Sequence, residues 1–281
     1  MNLQDSPELA DIVIWRYMDL ARYVVLLDRG LHFSSADSFE DPWEASFGLN
    51  DLNQFREANT QLTAIEIQRL WDERITAKQN NLSSLGISCW HISDHESAAL
   101  WEIYQPKGLG ITVKSTVGRL YQSIIDSERK IETLPIKYSN YHEIEATDEP
   151  YILLSRKRRE YSYENEIRFV IKYRADECSE IEFYQENEFN HRLLSSNLSR
   201  IYAKMGMRRA SPDKTLPRRI TNSGAHLEIK HEILIEKIII SPYASYPTRN
   251  AIHSIAKAYG LNERIISRSN IDQPPFDKII H

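Results

Sequence analysis

Cysteine is nearly absent from this chain: Cys89 and Cys178 are the only two in 281 residues. Two thiols separated by most of the molecule make neither a disulfide framework nor a metal-binding knuckle, so a reducing compartment is expected. Long apolar runs are missing as well. The greasiest stretch, residues 233–240, is interrupted by Glu236 and Lys237 and is far too short to span a bilayer. The first eight residues are acidic and lack the basic-then-apolar pattern of an export signal. These absences predict a cytoplasmic protein with no membrane partner. An excess of positive charge is missing too: the formal net charge of -5 argues against wholesale coating of nucleic acid and leaves room only for a local basic patch. Lys107-Gly-Leu-Gly110 lacks the third glycine and the Lys-Ser/Thr pair of a phosphate-cradling loop, and reads as a turn.

What is present is enough for a substantial core, since 41% of the residues are hydrophobic and 27% charged, the balance of a globular chain. Local signals predict a strand over 12–17, an apolar-periodic helix starting at Asp19 and stopped by Gly30, and a strand over 31–35. A helical insertion follows at about 52–80, then a strand over 85–90 and a capping box at Ser93 and Glu96 for a helix ending before Pro106. Strands are expected at 108–113, 163–173 and 233–240, with a basic helix over 153–160 and a basic loop over 204–225. Thr248 is expected to cap a helix stopped by Gly260, before a last strand from Ile265. The irregular mixture predicts one α+β domain over 1–281.

The segment Tyr161-Ser-Tyr-Glu-Asn-Glu-Ile-Arg-Phe-Val170 holds two carboxylates, Glu164 and Glu166, one residue apart. On a strand, alternation would turn Glu164, Glu166 and Arg168 to one side, with neighbouring carboxylates ~7 Å apart. Taken alone, this is a solvated strand face. Cys89, His91 and His95 match no metal-ligand spacing. Asp37, Glu40, Asp41 and Glu44 suggest a nuclease-like metal cluster, but Asp41-Pro42 is turn chemistry that Trp43 would anchor.

A third grouping is ordered along the chain: Arg16, then Phe33-Ser34-Ser35, then Glu164-Asn165-Glu166. Breaking the nicotinamide–ribose bond of NAD requires a cation for the phosphates, a small hydroxyl to brace the pocket, and a carboxylate for the developing oxocarbenium ion. The planar fork of arginine suits the first task, and a second glutamate can position or deprotonate the acceptor.

The dispersed pattern W-R-Y-M, L-L-D-R-G-L-H-F-S-S, F-E-D-P-W-E, S-C-W, L-W-E-I-Y, G-L-G-I, Lys157 and Y-S-Y-E-N-E-I-R resembles the bacterial family called domain of unknown function 2971. The likeness runs from about Ile12 to Ile171, and more loosely to the C-terminal strand–helix–strand. Within it, the order arginine, serine strand, Glu-x-Glu is similar to the arginine–serine–glutamate class of ADP-ribosyltransferases. That resemblance implies a split β-sheet core with helical insertions and NAD as substrate, without a metal. It implies that Arg16 binds the NAD phosphates or ribose, Ser34 and Ser35 support the pocket, Glu166 is catalytic, and Glu164 faces the acceptor. Phe33 stands where the class has the first serine of Ser-Thr-Ser. Tyr17, Phe33, Trp90 or Trp101 would stack on nicotinamide or adenine. The acceptor would be a protein or nucleic acid, an anionic one if the Lys204–Arg219 loop meets it, and the setting that of a toxin, effector or phage-defence protein. The rivals are an inactive nucleotide- or partner-binding module, with Glu164 and Glu166 ion-paired to Arg168 or Lys157, and a metal-dependent nuclease.

Overall fold

Val13–Asp19, rich in β-branched and aromatic residues, forms the first strand, β1. Asp19 then caps helix α1 (Leu20–Arg29), its side chain accepting from the Arg22 N–H at 2.7 Å. Leu20, Tyr23, Val24, Leu26 and Leu27 bury one face of this helix. Gly30 ends it at φ +91°, where a Cβ would lie 2.1 Å from the Leu227 carbonyl oxygen, so only glycine fits. These features were legible in the sequence. The computed structural model describes residues 7–39, 41–104, 108–174 and 224–271.

The chain continues as β2 (Leu31–Ser35), α2 (Leu49–Ala58), α3 (Ala64–Ser83), β3 (Leu85–Ile92), α4 (Ala98–Tyr104), β4 (Gly110–Thr116) and α5 (Val117–Ser123). Then come β5 (Glu132–Pro135), β6 (Lys137–Ser139), α6 (Pro150–Leu154), β7 (Arg156–Arg158) and β8 (Glu166–Lys172). After the undescribed stretch lie β9 (Ala225–Leu227), α7 (His231–Leu234), β10 (Lys237–Ile240), α8 (Tyr246–Ala258) and β11 (Ile266–Arg268). The fold is α+β, with a mixed, open sheet. Among the described residues no helix is long and apolar enough to cross a membrane.

Strand β3 is the hub of the sheet. One edge pairs with β8 from Leu85↔Lys172 to His91↔Glu166. The other edge is shared: β2 takes its beginning, at Gly86 and Ile87, and β1 takes its end, at His91 and Ile92. β1 leads outward to β4, β10 and β11, and β2 to β9. The sheet therefore forks beside Ser88–Trp90, and Ile14, Phe33, Ile111 and Ile238, all fully buried, tie the branches into the core.

Several local expectations are corrected. The insertion is two helices, and the capping box belongs to α3, where Glu66 accepts from the Thr63 N–H at 2.9 Å. Ser93 and Glu96 form no such box: α4 begins at Ala98, and Glu96 instead accepts from Trp101 Nε1 at 3.0 Å and Ser269 Oγ at 2.5 Å. Residues 153–160 are not one helix, because β7 pairs with β6 and a 3-10 turn, Arg159–Glu164, follows. Residues 231–234 are helical, so the strand expected at 233–240 is confined to β10. Ser245, followed by Pro247 in the first turn, caps α8 in place of Thr248. The basic loop, up to Ser223, lies outside the described residues.

Candidate functional site

The fork opens into a cleft of about 580 Å³ lined by β1, β2, β3, β8, β9, α1, α4 and the Lys157 strand. Its two ends carry opposite chemistry.

At the first end, Arg16 reaches across the fork. Its Nη1 donates to Ser88 Oγ at 2.8 Å, its Nη2 approaches the His32 carbonyl at 3.5 Å, and its guanidinium lies 5.7 Å from the centre of the Trp90 ring. None of these contacts is a carboxylate. Burial, with no counter-ion among the described residues, pulls the Arg16 pKa down to about 10. Arg22, His32, Ser34 and His226 line the cleft with it.

The second end is a closed lattice of charge. Arg168, 1% exposed, donates from Nε to Glu166 Oε1 at 2.6 Å, from Nη2 to Glu44 Oε2 at 2.5 Å, and from Nη1 to the Leu154 carbonyl at 3.0 Å. Lys157, 8% exposed, bridges Glu164 Oε2 at 2.5 Å, Glu44 Oε1 at 3.0 Å and Glu166 Oε2 at 3.1 Å. Three carboxylates thus face two cations. Burial opposes the ionisation of Glu166, but Arg168 and then Lys157 outweigh it and hold its pKa at about 2. Burial likewise opposes the Lys157 charge, and Glu166, Glu44 and Glu164 overcome it and raise its pKa. Glu164, the more open carboxylate at 14%, shifts the other way: burial raises it despite Lys157.

The geometry of this pair differs from a simple strand face. Glu164 ends the 3-10 turn, Asn165 adopts a left-handed backbone at φ +38°, and only Glu166 begins β8. The turn brings Glu164 to Lys157, while His91 Nδ1 donates to the Glu164 carbonyl at 2.5 Å. A carbonyl can only accept, so this contact sets the His91 tautomer. Neither carboxylate forms the solvated face expected of the segment alone.

Cys89 lies on β3 between the two ends, opposite Arg168 in register. Its side chain is exposed to the cleft, yet protein encloses it on the other sides, and that enclosure, then the adjacent Glu166 carboxylate, raises the thiol pKa.

Of the residues singled out from the sequence, Arg16, Tyr17, Ser34, Trp90, Glu164 and Glu166 all line this cleft. Two do not. Phe33 is fully buried in the core, and Ser35 is buried with its hydroxyl donating to Asp37 at 2.6 Å. Alternation along β2 explains the split: Ser34 and His32 share one face, Phe33 and Ser35 the other. Trp90 is 2% exposed and its Nε1 donates to Ser88 Oγ at 3.1 Å, so its ring carries Arg16 rather than offering a stacking face. Trp101 is core, packed edge-on against Tyr17 at 5.0 Å.

The acidic residues near Asp41 do not gather: Asp41 pairs with Arg158 at 3.1 Å, Asp37 takes Ser35, and Glu44 joins the lattice, while Glu40 lies outside the described residues. Sequence reasoning missed Glu44 as a partner of the glutamate pair, and missed His32 and His226 altogether. Nothing local connects positions more than a hundred residues apart. No protein-family model, curated protein or solved structure matches the chain.

Proposed function

We propose that the protein transfers ADP-ribose from NAD to an acceptor, with the split-sheet architecture of the arginine–serine–glutamate ADP-ribosyltransferases that its motifs resemble. One observation carries the reading: Arg16, Ser34, Glu164 and Glu166, drawn from distant segments, meet in a single cleft at the fork of the sheet. The cleft is bipolar in the sense NAD requires. The cationic end suits the diphosphate, and the carboxylate end suits the nicotinamide ribose, where positive charge develops as the C–N bond breaks.

The roles of the two glutamates follow from their environments. Glu166 stays ionised and is immobilised by Arg168 and Lys157, which suits a fixed negative charge beside an oxocarbenium ion. Glu164 is more open, and its raised pKa makes it the better proton acceptor. In the reaction, nicotinamide leaves with the bonding electron pair, the acceptor's nucleophile bonds to C1′ of the ribose, and its proton passes to Glu164. The acceptor would be a protein or a nucleic acid.

The test is release of nicotinamide from labelled NAD by purified protein, with candidate acceptors. Glu166→Gln is expected to slow release by ~100-fold or more. Unchanged turnover in that variant would remove the glutamate from the mechanism. A second reading is favoured by one fact: both Glu166 oxygens are already engaged by cations. An inactive module of the same fold would bind ADP-ribose yet release no nicotinamide from NAD with any acceptor.

A further inference from the structure

The cationic end of the cleft contains a histidine pair that the motifs did not single out. His32 on β2 stands directly opposite His226 on β9, with ring centres 4.7 Å apart. Both line the cleft with Arg16, and Ser34 Oγ lies 3.4 Å from His32 Nδ1. The backbone is shaped around the pair. Gly224 sits at φ +108°, and a Cβ there would come within 2.9 Å of His32 Nε2 and 2.0 Å of the Phe33 carbonyl oxygen.

Among the described residues, His226 has no negative partner, and its buried Nδ1 has no hydrogen-bond partner. Among the described residues, the groups acting on it are Arg29 from α1, Arg16 from β1 and the Gly30 backbone, with the His32 ring tilted against it at 46°; none is a carboxylate. Burial first, then Arg29 and Arg16, lowers its pKa, so the empty cleft favours the neutral ring. An anion placed among Arg16, His32 and His226 would reverse that balance, supply the missing acceptor and draw a proton onto the pair.

We infer that His32 and His226 complete, with Arg16, a subsite for a nucleotide diphosphate that takes up a proton when it fills. This deepens the transferase reading and rests on it for the identity of the anion. The two arginine-flanked histidines read the charge of the diphosphate, and the site grips it more tightly as pH falls through the histidine range.

The experiment is titration calorimetry of the full chain with ADP-ribose, whose diphosphate diester keeps its charge unchanged across the histidine range. Runs in two buffers of different ionisation enthalpy count the protons exchanged. Net proton uptake is expected, with affinity falling about tenfold between about pH 6 and pH 8. Adenosine, which lacks the diphosphate, should show no proton uptake. His226→Asn should abolish the uptake and flatten the pH dependence while Arg16 retains weak binding; His32→Gln should do so in part. The wild-type proton count needs no variant, so a folding defect in either substitution leaves the test intact. No ADP-ribose binding, or binding without proton uptake, overturns the inference. Nicotinamide release with pH-independent ADP-ribose affinity would sink this subsite and spare the transferase. Proton-coupled binding without nicotinamide release would do the reverse.

Discussion

Arg168 and Arg16 stand at the two ends of one cleft, both enclosed by protein, and they are partnered in opposite ways. Arg168 satisfies two carboxylates and a carbonyl, and burial fails to depress its pKa because Glu166 and Glu44 outweigh it. Arg16 has a hydroxyl, a distant carbonyl and an aromatic ring, and its pKa falls. Enclosure alone says little about what a charged residue does. A cation whose counter-ions lie within the fold holds the structure together, whereas one left without them is available to a ligand.

Removing each cation should have opposite consequences. Arg168→Met leaves Glu166 and Glu44 sharing Lys157 alone, and a loss of about 3–5 kcal/mol is expected in urea unfolding. Arg16→Met should change stability by less than about 1 kcal/mol, because the lost hydrogen bond is offset by relief of an uncompensated charge. It should, however, weaken ADP-ribose binding severely. Equal destabilisation by the two variants would end the distinction.

Acid acts on the two glutamates with opposite sign. Glu166 is held at about 2, so its contribution to stability is whole above the unfolded carboxylate value and is lost as pH falls through about 2. Glu164 has the opposite sign: its raised pKa favours the folded state below the unfolded value, and that advantage disappears as pH rises through the folded value. The urea midpoint should therefore fall steeply below about pH 4, and Glu166→Gln should flatten that slope. A slope unchanged by the substitution would mean that the lattice does not hold Glu166 as described.

The smallest effect separates adjacent serines. Ser35→Ala should cost about 1 kcal/mol through its lost bond to Asp37 and leave ADP-ribose affinity unchanged. Ser34→Ala should leave stability within about 0.5 kcal/mol and weaken binding a few-fold. The opposite pattern would reverse the assignment of the β2 faces.

Much of the first half of the fold was readable because its signals are local. β-Branched and aromatic residues mark β1, and Asp19 and Gly30 bracket α1. The cleft residues Arg16, Ser34, Glu164 and Glu166 were found by residue type and chain order. What failed depended on turn geometry or on distant partners. The left-handed turn at Asn165 delays the start of β8 to Glu166 and leaves Glu164 outside the strand. Glu96 is used by Trp101 and Ser269 rather than by its own helix.

The sequence by itself determined which chemical groups this protein owns and the order in which it presents them, since propensity, caps and alternation act over a few residues. Only the tertiary structure decided which of those groups are already spent. Pairing β1 and β2 to the same edge of β3 opened the fork, brought His226 against His32, and let Glu44 and Lys157 close on Glu166. Charge neutralisation is a property of distances across the fold. It left carboxylates and cations paired with one another at one end of the cleft and, at the other, an arginine with no counter-ion among the described residues.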